Sequence, residues 1–355
     1  MNQKKVTMSD IAALTGLSQS SISMILNKKT SARFSSETIN KVYEACQELG
    51  YKLPNTSHTD SKIIMIMSEN PNSPYYSLLA QQIEYKAHLN GYRTIICNTN
   101  RNKDLELSYL QFALKTHISG IICLTYPHHP EKVNEVSKTI PVIAICDKAE
   151  NLSVDIIEMD NFQSSVLLID HLVELGHRKI MLLTASPDAN LGRRMRIKGL
   201  EHQMAQYGLK DSLFIRSKKV SWQSELSGEV NDYTIGYEFM KDSSILDTGV
   251  TAFIGMTDVM ARGIADALLE QGKQIPKDYS VCGYDNLLYA RLLPLSLTTV
   301  EHQLEQKANS AFDLLQRNME ILNNGQVEAF QNARIKIEHP SVLVVRSSTG
   351  PARQD

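Results

Sequence analysis

One pattern occurs three times in the first forty residues: an apolar residue, a Ser or Thr, three mostly polar residues, then an apolar residue. It reads Val6-Thr7-Met8-Ser9-Asp10-Ile11, Leu17-Ser18-Gln19-Ser20-Ser21-Ile22 and Phe34-Ser35-Ser36-Glu37-Thr38-Ile39. Each is a helix start, in which the hydroxyl accepts an orphan backbone N–H while the flanking apolar residues staple the entry. Thr7 with Asp10 approximates a capping box. The pattern predicts three short helices. The first runs from about Met8 to Thr15, Gly16 supplies a positive-φ turn, and Ser18 caps a second helix reaching about Asn27. Ile11, Leu14, Leu17, Ile22, Ile25 and Leu26 form the inner face, with Gln19, Ser20, Ser23 and Met24 on or near the outer one. A small three-helix unit with so tight a first turn is a scaffold for reading the DNA major groove. A three-helix protein-interaction module is the alternative.

On the DNA reading, the start of the second helix presents Ser18, Gln19, Ser20, Ser21, Ser23, Met24 and Asn27 to base edges. Gln pairs with adenine, Ser with several edges, and Met touches a thymine methyl. Thr7, Lys28, Arg33 and the Ser35 helix start fall near phosphates. Charge agrees: residues 1–62 sum to +3 in a chain of net charge −2, leaving −5 on the rest. A basic head on an acidic body suits a polyanionic partner for the head alone.

The sequence divides into a helix-turn-helix domain at 1–54, a short polar linker at 55–62, a body at 63–346 and a C-terminal tail at 347–355. In the body, short apolar runs (Ile63–Met67, Thr94–Cys97, Gly120–Leu124, Val142–Cys146, Ile180–Leu183, Ala252–Ile254, Tyr279–Cys282) alternate with amphipathic stretches (Tyr76–Leu89, Leu105–Lys115, Phe162–Leu175, Arg196–Tyr207, Val259–Gln271). That alternation predicts an α/β body of two lobes with parallel sheets and helices on both faces. Ligands bind such sheets at the carboxyl ends of the strands, which here implies a cleft between the lobes.

Several classes are excluded by the residues. No apolar run approaches the ~20 residues of a membrane span, and the start shows no apolar leader, so a cytoplasmic location without membrane is expected. The five cysteines, Cys46, Cys97, Cys123, Cys146 and Cys282, are odd in number and lack CxxC spacing, which reads as buried thiols. No GxxxxGK[ST], HExxH or GxSxG occurs, so catalysis and a cofactor are not expected. His128-His129 reads as a solvated loop pair without acidic or Cys partners, not a metal site.

Met8-Ser9-Asp10-Ile11-Ala12-Ala13-Leu14-Thr15-Gly16-Leu17-Ser18, followed by Ser21-Ile22-Ser23 and Leu26-Asn27, resembles the head of the LacI/GalR family of bacterial regulators. Body segments resemble family signatures in the same order: Leu175-Gly176-His177-Arg178-Lys179-Ile180, Ile275-Pro276-Lys277-Asp278-Tyr279-Ser280-Val281, Gly283-Tyr284-Asp285-Asn286, Leu297-Thr298-Thr299-Val300, and the ending from Pro340 to Pro351. The resemblance implies a homodimeric, effector-controlled DNA-binding regulator acting on a pseudo-palindromic operator. It also implies a periplasmic-binding-protein-like body whose lobes are joined by three crossovers. Two departures stand out. Met24 occupies a place where the family usually has Arg, which alters operator preference. Only residues 56–62 separate Pro54-Asn55 from Ile63, without the Leu that the family's hinge helix wedges into the minor groove, so weak operator bending is expected.

By matching positions, the resemblance assigns Tyr75 and Tyr76, Arg196 and Asp285 to the effector cleft; Asp147, also at a strand end, is a further candidate, as is Tyr233 or Trp222 on the far lobe. An Asp and an Arg that converge clasp sugar hydroxyls, so a sugar-like effector of a repressor of carbohydrate catabolism is expected. A nucleobase, an anionic ligand favoured by Lys148, or a protein co-effector are the alternatives, as is a solute-binding module without DNA function. Asp160-Asn161 and Asp258 read as caps of the following helices. The tail has no apolar heptads, hence no tetramer-forming coiled coil.

Overall fold

The computed structural model describes residues 6–26, 34–49, 51, 62–147, 151–186, 191–221, 223–224, 231–326 and 334–354. The chain divides into two compact units, Met1–Ser61 and Lys62–Asp355. Of the linker expected at 55–62, residues 55–61 lie outside the described residues.

The first unit holds α1 (Met8–Thr15), α2 (Gln19–Leu26) and α3 (Ser36–Leu49). Its three starts form as their sequence dictates. Asp10 Oδ2 accepts from the Thr7 backbone N–H and hydroxyl, both at 2.7 Å, while Ser18 Oγ accepts from Ser21 N at 3.1 Å and Ser35 Oγ from Thr38 N at 3.2 Å. Gly16 ends α1 at φ 72°. Ile11, Ile22, Ile25 and Leu26 are buried against Val42, Ala45 and Cys46 of α3. Leu14 corrects the expected inner face, being 46 % exposed. Thr15 takes the inward place instead, its hydroxyl donating to the Ile11 carbonyl at 2.8 Å.

The body contains β1 (Ile63–Ser68), α4 (Pro74–Leu89), β2 (Arg93–Asn98), α5 (Lys103–Lys115), β3 (Gly120–Cys123), α6 (Pro130–Val136), β4 (Val142–Asp147), β5 (Asp155–Met159), α7 (Asn161–Glu174), β6 (Ile180–Ala185) and α8 (Leu191–Gln206). It continues with β7 (Leu213–Lys218), α9 (Asp232–Phe239), β8 (Ala252–Gly255), α10 (Asp258–Glu270), β9 (Ser280–Tyr284), α11 (Leu288–Arg291), β10 (Thr298–Glu301), α12 (Leu304–Asn323), β11 (Lys336–Glu338) and β12 (Val342–Val344). Two sheets form, ordered β11-β5-β4-β3-β1-β2 and β12-β10-β9-β8-β6-β7, all parallel except the β12–β10 pair. The chain therefore passes between lobes three times: after β5, between β10 and α12, and between β11 and β12.

Why the strands read as continuous apolar runs is visible in the first lobe. Ile64, Ile66, Ile143 and Ile145 pack under α4 and α12, whereas Met65, Met67, Val142 and Ala144 pack under α5 and α6. Successive side chains enter opposite cores, so every position is apolar. All five cysteines are free and buried. The tail is not a separate segment: Val281 N donates to Ser348 O at 2.9 Å and Ala352 N to Leu175 O at 2.8 Å. His177 fastens it, its Nε2 lying 3.1 Å from Gly350 O and its Nδ1 2.8 Å from Thr251 Oγ1. Burial holds the His177 pKa down to about 4, so the ring is neutral, donating from Nε2 and accepting at Nδ1.

Candidate effector cleft and DNA-reading surface

The carboxyl ends of β1, β2, β5, β8 and β9 open on a cavity of about 650 Å³ between the lobes. Asn70, Ser73, Tyr75, Tyr76 and Arg101 line it from the first lobe, Arg193, Arg196, Asp232, Tyr233 and Asp285 from the second. At its base lies Arg196, one-tenth exposed and on α8. Its Nε donates to Asn161 Oδ1 at 2.8 Å and its Nη1 to the Met256 carbonyl at 2.7 Å. Nη2 reaches Asp285 Oδ1 at 3.2 Å and His302 Nε2 at 2.8 Å, and the guanidinium carbon lies 4.3 Å from the centroid of the Tyr284 ring. The fork is thus locked within the protein before any ligand arrives.

His302 is held well below its ordinary pKa by burial, with Arg196 and Lys307 adding to it. It is therefore neutral, accepting from Arg196 at Nε2 and donating from Nδ1 to Ser341 Oγ at 3.2 Å. Asp285 and Asn286 sit at φ 107° and 51°, sparsely populated conformations for residues with a side chain. Asp258 secures this loop, accepting from Leu287 N at 2.9 Å and from Thr299 Oγ1. That corrects the expected role of Asp258: Thr257 caps α10, donor Met260 N at 3.2 Å, and Asp258 is fully buried beneath the loop. Asp160 does cap α7, accepting from Gln163 N at 2.7 Å, but Asn161 lines the cavity and holds Arg196.

Of the cleft residues expected from sequence, Tyr75, Tyr76, Arg196, Asp285 and Tyr233 line this one cavity. Asp147 does not. It lies behind, buried, accepting from Asn161 Nδ2 at 2.8 Å and Asn161 N at 3.2 Å. The Tyr233 hydroxyl is turned away to Asp266 at 3.1 Å. Lys148 and Trp222 lie outside the described residues. Sequence reasoning missed Asn70, Arg101, Arg193, Asp232 and His302. Arg193 was within reach, since it stands one helical turn before Arg196 and shares its face. His128 and His129 do have an acidic partner after all, their backbone N–H groups donating to Glu106 at 3.0 and 2.8 Å. Among the described residues no cluster of three or more His, Cys, Asp or Glu could hold a metal, and no helix is long and apolar enough to cross a membrane.

In the first unit, Ser18, Gln19 and Ser20 are exposed at the start of α2, and Ser21, Ser23 and Met24 are half-buried along it. Thr7 and Ser35 are exposed at the starts of α1 and α3. The Thr7 hydroxyl is committed to Asp10, and Ser35 Oγ lies 2.8 Å from Thr38 Oγ1. Asn27, Lys28 and Arg33 lie outside the described residues.

Two parallel α/β lobes, three crossings and a cleft lined from both lobes define a ligand-binding body of the periplasmic-binding type, here following a helix-turn-helix unit. The sequence profile of a family described as "Periplasmic binding protein-like domain" matches residues 169–349. Curated relatives include the HTH-type transcriptional repressor PurR of Pasteurella multocida, 28% identical over 96% of this chain and 98% of that protein. The HTH-type transcriptional regulator DegA of Bacillus subtilis is 27% identical over 98% of this chain and 99% of its own. Among solved structures, a LacI family transcriptional regulator from Enterococcus faecium matches with TM-score 0.68 and 25% identity, covering 82% of this chain and 100% of that one. The lac repressor dimer bound to operator matches in fold at TM-score 0.65 and 22% identity, covering 98% and 100%. The chain belongs to the periplasmic binding protein-like family and, with its N-terminal unit, to the LacI/GalR family of DNA-binding transcriptional repressors.

Proposed function

We propose that this repressor controls carbohydrate-catabolism genes and is released by a neutral, hydroxyl-rich sugar held in the inter-lobe cleft. One observation carries the reading. The three arginines lining the cleft each lie beside a carboxylate: Arg101 at 3.5 Å from Glu69, Arg193 at 3.9 Å from Asp232, and Arg196 at 3.2 Å from Asp285. Charges cancel pair by pair, and in the Arg193–Asp232 and Arg196–Asp285 pairs both members line the cavity, setting donors next to acceptors, the arrangement that vicinal hydroxyls match. Among the described lining residues, an anionic ligand would find no surplus of positive charge. Of the lining rings, Tyr75 is set edge-on to Tyr76 with centroids 5.3 Å apart and Tyr233 stacks on Tyr237, which favours a ligand held by hydrogen bonds over one held by stacking. The Enterococcus faecium relative has ribose bound.

Sugar binding shifts the equilibrium only by favouring one lobe arrangement over the other. A homodimer in the cytoplasm, on two half-sites of a pseudo-palindromic operator, is the form proposed to act. In its favour, β2 is an edge strand with Ile95 and Ile96 exposed, flanked by exposed Tyr85 and Leu89 of α4 and Phe112 and Leu114 of α5. Gln19, Ser20, Ser23 and Met24 are proposed as base readers, with Thr7, Ser18, Ser21, Asn27, Lys28, Arg33 and Ser35 near them or at phosphates.

A thermal-shift panel of neutral sugars, sugar phosphates and nucleobases tests the effector, because a ligand of the folded state raises apparent stability. Neutral sugars are expected to raise the melting temperature, and Arg196→Ala and Asp285→Ala to abolish the rise. Full response in both variants would reject the cleft assignment. A response confined to phosphorylated sugars or nucleobases would reject the neutral-sugar reading.

A further inference from the structure

Among the described residues Arg196 makes four hydrogen bonds, and three of them stay within its own lobe. Met256, whose carbonyl accepts from Nη1, follows β8; Asp285, which accepts from Nη2, follows β9; and Asn161, which accepts from Nε, begins α7. These groups and α8 turn together when the lobes turn. The fourth partner is different. His302 stands in the second crossing, between β10 and α12, and its Nε2 lies 2.8 Å from Arg196 Nη2. Its Nδ1 lies 3.2 Å from Oγ of Ser341, which stands in the third crossing, between β11 and β12.

Chemistry fixes the direction of this chain of bonds. A guanidinium donates and never accepts, so Nε2 supplies a lone pair and the ring hydrogen is on Nδ1, which donates to Ser341. Nη2 has two hydrogens, and Asp285 at 3.2 Å and His302 take one each. The ring is 1 % exposed and stands against an aromatic of each lobe, edge-on to Tyr75 of α4 with centroids 6.2 Å apart and parallel to Tyr284 of β9 at 6.4 Å. The next residue, Gln303, is left-handed at φ 54° and ψ 49°. A residue with a side chain is strained there, and hinge residues are those that absorb changes of φ and ψ.

We propose that His302 is a positioning residue that ties Arg196 to the second and third crossings, so that effector contact at the fork and the angle between the lobes are linked. The inference rests on Arg196 being an effector contact. The lobes turn on each other only by changing the crossings, and His302 is carried by a crossing while Arg196 is not. A bond of 2.8 Å ends when its atoms part by about 1 Å. The Arg196–His302 bond thus belongs to one lobe arrangement, and its loss in the other leaves a buried N–H of a charged group unpaired. Tyr75 and Arg196 both line the cavity, and His302 stands against both without lining it. A ligand that engages the two therefore acts on the neighbours of the hinge histidine, and shifts the lobes by as much as it favours one geometry over the other.

The test uses the full chain without sugar or DNA and follows backbone amide exchange by mass spectrometry. Peptides spanning 300–308 and 340–346 hold the second crossing with the start of α12 and the third crossing with β12. His302→Phe keeps a ring and removes both nitrogens. Exchange in both peptides is expected to speed up about tenfold, the effect of one hydrogen bond to a charged group, while β3 and β8 keep their rates. His302→Gln restores an acceptor for Arg196 and is expected to return most of the protection. Arg196→Met should speed the same two peptides and add nothing to them in a His302→Phe background, because one link carries both effects. Unchanged crossing peptides in His302→Phe, an equal rise in β3 and β8, no recovery in His302→Gln, or effects of Arg196→Met and His302→Phe that multiply would each overturn the proposal. If His302→Phe does not fold, Ser341→Ala takes its place: it should speed 300–308, and an unchanged rate, or an effect that multiplies with that of Arg196→Met, overturns the link. No ligand enters the measurement, so its outcome is independent of the sugar panel.

Discussion

Gly199 offers a test in which two effects of opposite sign compete. It lies in α8 where that helix crosses α7, and a Cβ built there would sit 2.3 Å from the Phe162 carbonyl oxygen and 2.9 Å from Ser165 Cβ. In an isolated helix, Gly→Ala stabilises by about 1 kcal/mol. Here the obstacle is the backbone of α7, which cannot rotate aside, and an ordinary contact requires the helices to part by about 1 Å. Overpacking of this kind costs about 1–3 kcal/mol, and a backbone obstacle sets it at the upper end. Subtracting the propensity gain leaves Gly199→Ala destabilised by ~1–2 kcal/mol. For a body of this size that lowers the melting temperature by about 2–8 °C. The displacement also separates Arg196, one turn earlier on α8, from Asn161 at the start of α7, so sugar response should weaken beyond what the stability loss explains. Differential scanning fluorimetry with and without sugar measures both. A melting temperature equal to or above wild type would show that the α7–α8 crossing is looser than described and refute the reasoning.

Acid should loosen the tail. His177 is neutral in the fold with its pKa held down to about 4, against 6.5 when unfolded, so its contribution is complete above 6.5 and is lost as pH falls toward 4. The loss is at most about 3 kcal/mol. The stability gap between wild type and His177→Gln should narrow over that window, and a gap constant with pH would contradict the assignment. Met24→Arg should add one phosphate or guanine contact, steepening the salt dependence of binding to promoter DNA by about one unit of log K per log salt. An unaltered slope would show that Met24 does not face the duplex. Because the linker carries no Leu wedge, circularly permuted operator fragments should migrate almost alike when bound, and a large mobility difference would rule this out.

The three caps were readable in sequence because a cap is local: Thr7, Ser18 and Ser35 need only their own turn. Leu14 was misplaced because helical periodicity does not say where α3 will lie. In the body, most inner strands declared themselves as apolar runs, but β10, with its two threonines, and β5 did not. In β5, Asp155 and Glu158 are buried, Asp155 accepting from Asn318 Nδ2 at 2.6 Å and from Ile335 N at 2.8 Å, both more than 160 residues on. β7 was hidden for the opposite reason, being an edge strand with Arg216 and Lys218 exposed. α12 was masked by Lys307 and Asn318 on its inner face. For the cleft, family resemblance pointed to Arg196 and Asp285, but nothing local separates an acid that lines a cavity from one that braces it. Asp147 and Asp285 both end a strand, and only the third dimension puts one behind the other.

The three crossings carry a consequence for how the chain is made. Each lobe takes its closing pieces from far downstream: the first needs α12 and β11, the second needs β12 and the segment to Ala352. On the ribosome the N-terminal unit, whose core residues all lie before position 52, can fold as soon as it emerges. Both lobes must wait with an open sheet edge until residues 336–352 appear. The DNA-reading part of a nascent chain is thus complete well before the part that regulates it, and premature termination would yield a folded reader with no folded body to control it.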